Sequence, residues 1–234
     1  MANDPKKRKK RRRRSNNLFE EPVMVFMSKV CDMILINIYW LLGCVPLLTI
    51  GASNSALYYV ALKMARNDNI RSFKDFFVGF KLTFKRSSLS MLFVVPLILI
   101  CYLNLAFIKG NGLGLPVGAL IVFAIPILLV LMIIGIYFPL LGFYEDSIGT
   151  TIRNAVFITI RHPLIALLVL ALNLVPYVML FFYIELFLEW IIIWTFLGFG
   201  IIAYINSKLL LKIFKKELRD SDYPYVEDFT RLPS

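Results

Sequence analysis

Long apolar runs alternate with short basic gaps along most of this chain. Residues 33–50, 90–108, 117–144, 164–184 and 187–205 are each long enough, or nearly so, to cross ~30 Å of hydrocarbon as helices rising ~1.5 Å per residue. A sixth run, 52–65, reaches only about two-thirds of the way across. Between the first run and this short one lies "PLLTIGASNSA", residues 46–56, whose proline, glycine and Ser-Asn-Ser cluster interrupt the apolar pattern. Two readings stay open there: a full but short membrane hairpin, or a re-entrant loop that turns back before the far side. In the hairpin reading a first helix runs over about 21–47, the chain turns at 49–51, and a return helix over 53–65 starts with Ser53 as its N-cap. Pro46 then falls near a helix end, where it is tolerated, and Gly51 sits where positive φ is useful.

Two amphipathic segments precede later runs. In "RSFKDFFVGFKLTFKR" the aromatics Phe73, Phe76, Phe77, Phe80 and Phe84 recur at helical spacing on one face, with Lys74, Lys81 and Lys85 on another. That pattern predicts an interfacial helix with its rings in the acyl boundary and its lysines at phosphate depth. "TTIRNAVFITIRHP" predicts a second, less charged one. Each segment leads into a run, a short turn and a returning run, and "TFKR" at 83–86 echoes "TIRH" at 159–162, a weak internal duplication. The predicted fold is all-α: a polytopic transmembrane helical bundle of about six membrane helices, with two amphipathic interfacial helices on the cytoplasmic side.

Charge sets the orientation. With the N-terminus inside and the runs alternating, every Lys and Arg except Lys109 stays in the cytoplasm, as the positive-inside rule requires. The expected location is the cell membrane, multi-pass, with both termini cytoplasmic. The head "MANDPKKRKKRRRRSNN" lacks the h-region and cleavage site of a signal peptide. It reads as a disordered cytoplasmic tail over 1–18, drawn to the anionic leaflet, and no stacking aromatics accompany its charges to suggest specific nucleic-acid binding. The membrane domain is expected over 19–217, followed by a short cytoplasmic tail over 218–234. Composition agrees, since 59% of the 234 residues are hydrophobic, against about 45–50% in soluble domains.

One stretch resembles a known family. "NIYWLLGCVPLLTIGASNSALYYVALKMAR", residues 37–66, followed by "SFKDFFVGFKLTFKRS", residues 72–87, is similar to the YesL-like family of bacterial integral membrane proteins, with the resemblance extending over about 19–217. It implies a setting, mainly Gram-positive bacteria and genes beside carbohydrate uptake systems. It brings no activity, cofactor or catalytic residue.

Candidate chemistry is sparse. Asp32 follows Lys29 by three residues, so a helix puts both on one face, either as an interface ion pair or with Asp32 facing the bundle for cation or proton coupling. Thr49, Ser53, Asn54 and Ser55 form the most polar spot in the membrane region, a bend or an opened backbone able to hold an anionic or hydroxylated ligand. Glu185 and Glu189 are expected at the outer headgroups beside Trp190 and Trp194, and Asn37, Asn104 and Asn173 in interhelical hydrogen bonds. His162, the one histidine, precedes Pro163 at a helix start without a nucleophile at motif spacing. Cys31, Cys44 and Cys101 read as packing residues. No phosphate loop or zinc spacing is present. The reading is therefore a non-enzymatic membrane protein without cofactor or metal, an accessory or scaffolding component tied to carbohydrate uptake. Its expected partners are anionic lipids and a sugar-transporter complex or further copies of itself. The alternatives are a small transporter or channel using the 49–55 break, and an anionic-lipid or envelope sensor.

Overall fold

The computed structural model describes Met24 and residues 27–46, 49–68, 70–110, 117–143 and 147–217, and every regular element among them is helical. The basic head and the 218–234 tail lie outside the described residues. Helix α1 occupies 27–43, α2 Ile50–Ala65, α3 Ser72–Gly110, α4 Val117–Phe143, α5 Ile148–Arg161 and α6 Pro163–Phe182. Two short helices, α7 (Ile184–Glu189) and α8 (Ile191–Ile193), lead through a π-helical turn at Trp194–Gly198 into α9 (Phe199–Glu217). Three segments among the described residues are long and apolar enough to cross a membrane: Ala124–Phe143, Pro163–Phe182 and Ile191–Glu217.

The shortest of the expected crossings turns out to be the axis of the bundle. Of the sixteen residues of α2, only Ile50, Asn54, Lys63 and Ala65 escape full burial, so its neighbours cover nearly its whole circumference. α1 runs antiparallel to it, because Lys29 near the start of α1 donates to Asn67 Oδ1 just past the end of α2, at 2.8 Å. The first half of α3 also runs antiparallel. Lys63 pairs with Asp75 at 2.9 Å near one end, and the Ser55 and Ser87 hydroxyls meet at 3.0 Å toward the other. α4 comes close enough that a Cβ on Gly142 would stand 2.7 Å from the Ser55 carbonyl oxygen. α6 and α9 reach the same axis through hydrogen bonds to Tyr58. Small residues (Gly51, Ala52, Ser53, Ser55, Ala56, Ala61) let so many helices approach α2 at once.

Two expectations are corrected here. Ser53 does not cap α2, which begins at Ile50. Thr49 holds the cap position without a side-chain capping bond, and its hydroxyl faces the Gly43 and Pro46 carbonyl oxygens at 2.6 and 2.7 Å. Closing the turn through Thr49 lets the helix start earlier and draws Ser53 into the interior. Nor is the Phe/Lys segment a separate interfacial helix, because α3 continues unbroken for 39 residues, about 58 Å by the helical rise. No breaker falls between its polar start and its apolar end. The Thr83 and Ser90 hydroxyls bond back to the Gly79 and Arg86 carbonyls within the helix, and Pro96 is accommodated farther on. The second amphipathic segment does form its own helix. Ser147 Oγ caps α5 by accepting from Thr150 N at 3.2 Å, and Pro163 forces a new start for α6.

Candidate functional site

Burial of α2 brings a band of neutral polar side chains together around it. At its middle, Tyr58 Oη donates to Asn173 Oδ1 on α6 at 3.1 Å. Asn206 on α9 donates from Nδ2 to both, at 3.1 Å to Tyr58 and 3.0 Å to Asn173. This closed triangle joins three helices, and Asn206 is fully buried. Asn206 Oδ1 and the neighbouring Ser207 Oγ find no protein partner. Nearer the start of α2, the Ser55–Ser87 pair lies close to a contact between Ser90 and the Tyr137 hydroxyl, tying α2, α3 and α4.

A second polar anchor sits on α1. Asn37, also fully buried, donates from Nδ2 to the carbonyls of Trp194 and Thr195 at 3.1 and 2.6 Å and accepts from Gly200 N at 2.9 Å. Two of those groups belong to the first residues of the π-helical turn and the third lies just past it, where the wider winding leaves backbone groups without their usual helical partners. One amide side chain satisfies three of them. At the end of the molecule where α9 finishes, Glu217 is nearly buried and meets Arg161 Nε at 3.2 Å and His162 Nε2 at 3.1 Å.

The predicted polar residues do not converge on one site. Asp32 accepts from the Ser72 hydroxyl at the start of α3 instead of pairing with Lys29, which bonds Asn67. It stands toward the opposite end of α1 from the turn that carries Thr49. Ser53 Oγ is buried against Gly43 of α1, Ser55 is taken by Ser87, and Asn54 is half-buried. The aromatic face divides as well. Phe73, Phe77 and Phe84 are exposed with Lys74, Lys81 and Lys85, whereas Phe76 is 1% exposed and Phe80 half-buried. Phe76 packs against Tyr39 of α1 and Phe80, so the face expected to meet lipid as a unit supplies a core residue.

Sequence reasoning passed over Tyr58, Asn206, Tyr137 and Glu217. Asn206 carried a usable signal, an isolated amide in the run "IIAYINS". Tyr58 and Tyr137 carried none, because a tyrosine in an apolar run equally suits a core or a membrane interface. What the band offers chemically is neutral donors and acceptors, able to fix helix register or to hold a hydroxylated group. Among the described residues, no three His, Cys, Asp or Glu side chains gather as a metal site.

Comparison with known proteins returns one likeness. Residues 33–105, spanning most of α1, all of α2 and most of α3, match the family model described as "Protein of unknown function, DUF624". No curated protein and no solved structure matches the chain. The likeness therefore falls on the helices that wrap and include the buried axis, and it is to a family described only as a domain of unknown function.

Proposed function

We propose that this chain is a multi-pass membrane protein, both termini cytoplasmic, that works without catalysis as an accessory or scaffolding component packed against another membrane complex. The observation that supports it is the surface beyond the bundle. Past Met91, α3 shows Leu92, Phe93, Val95, Leu99, Ile100 and Tyr102 more than half exposed. Ile125, Leu128 and Leu129 on the facing part of α4 are uncovered too. Among the described residues, the helices leave these arms open along their flanks, which suits lateral packing against other membrane helices. The resemblance to the YesL-like family points to a carbohydrate importer as the complex, with a second copy of the chain as the other occupant. The transporter reading lacks a comparable observation, since Asp32, Thr49 and Ser55 are each engaged separately.

A photoreactive side chain at Phe93 in native membranes tests this, with one at Lys212 as the cytoplasmic comparator. The expected product is a covalent adduct between Phe93 and a membrane subunit of an importer. Adducts with lipid alone from Phe93 would reject the proposal.

A further inference from the structure

The register between α2 and α3 fixes how deep the α1–α2 turn can reach. Gly51, two residues after the turn closes at Thr49, lies against α3 at Ser87 and Met91, where a Cβ would stand 3.0 Å from the Ser87 carbonyl and 2.9 Å from Met91 Cγ. Ser87 directly follows Lys85 and Arg86, and Lys81 and Lys85 are exposed on the outside of the bundle. An exposed lysine must lie within a side chain's length of headgroups or water. The turn is therefore held near the same membrane face as Lys85. Beyond Arg86, α3 runs on for 24 residues (110 − 86) to Gly110, about 36 Å and enough to cross the bilayer. Among its described side chains the last buried polar one is Ser90, and the exposed ones from Leu92 to Leu103 are apolar or aromatic.

We infer that α1 and α2 form a re-entrant hairpin held at the cytoplasmic side, and that the membrane is crossed four times, by the outer part of α3, by α4, by α6 and by α8 with α9. A spanning α1–α2 hairpin would set Lys74 and Lys81 in hydrocarbon and carry Lys85 and Arg86 outside. It would also leave the apolar end of α3 projecting into water. The four-crossing arrangement instead places the polar band around α2 toward the inner interface, where such groups cost least. On the opposite flank, α5 and α6 expose Ile160, Leu164 and Leu167 at the end of the bundle where α3 exposes Lys74. The bundle consequently leans, with the α5–α6 flank sunk farther into lipid.

Single cysteines in a full-length chain freed of its native thiols test this with an impermeant maleimide. Val45→Cys probes the turn, where the side chain is 77% exposed, so the substitution leaves the packing intact. Lys85→Cys marks the proposed inner face, and Asn111→Cys marks the connection after α3. The expected result is labelling of Asn111→Cys alone in intact cells, with Lys85→Cys and then Val45→Cys labelled in inverted vesicles. External labelling of Val45→Cys at the rate of Asn111→Cys would overturn the inference. So would external labelling of Lys85→Cys, or protection of Asn111→Cys from outside.

Discussion

Asn37 makes the clearest case for a single side chain with a structural task. Its three hydrogen bonds go to backbone groups at the start of the π-helical turn and just past its end, and a hydrocarbon surrounding has no water to replace them. Replacing it with leucine is expected to destabilise the protein by about 2 kcal/mol, at ~1 kcal/mol per buried bond or somewhat less in a membrane. Thermal unfolding in mild detergent would measure the loss. Asp32 behaves differently. Its recorded bond is accepted from Ser72, and an asparagine oxygen can accept that bond too. Asp32→Asn is expected to change stability by less than about 0.5 kcal/mol, within the range of ordinary surface substitutions. A larger loss in the same assay would mean that the carboxylate's charge matters to the fold. Part of this was legible in the chain. Asn37 stood out as a lone amide in an apolar run, and interhelical bonding followed from that. Its true partners were not legible, because a widened helical turn 157 residues away leaves no mark in local pattern.

Among the elements, α2 departs most from what its length suggests. Hydropathy read it as the weak half of a membrane hairpin, yet its small residues let it serve as the centre around which the longer helices pack. Periodicity can show that a helix has few polar positions but not how many neighbours share it. The Phe-rich start of α3 shows the converse. Its spacing gave one aromatic face, and only the position of α1 decided that Phe76 would turn inward while Phe73 stayed out. The approach of α4 to α2 is just as specific. Gly142→Leu would drive a side chain into the Ser55 carbonyl and the Tyr59 backbone. Overpacking of that kind typically costs about 1–3 kcal/mol. Hydrogen exchange should show faster opening of α2 and of the second half of α4, with the outer arm of α3 unchanged. Uniform loosening would mean that the α2–α4 contact is not a local seam.

For the whole molecule, the charge pattern predicts one strongly basic side, and Lys74, Lys81 and Lys85 on α3 are exposed. Replacing all three with glutamine is expected to weaken the preference for anionic over neutral lipid by roughly 1 kcal/mol per charge lying near the surface. Exchange of bound lipid in nanodiscs of defined composition would measure it, and an unchanged preference would place these lysines away from the headgroups. What the chain could not disclose is that α8 and α9 belong to one helix with its winding interrupted. The broad turn at Trp194–Gly198 acts as a single added residue in an otherwise regular helix. Each residue turns an α-helix by about 100°. Deleting Thr195 would close the broad turn and swing the rim bearing Trp190 a quarter-turn around relative to Asn206. The tryptophan rim and the buried triangle thus keep their separate headings because one position in the chain is surplus to the ordinary helical count.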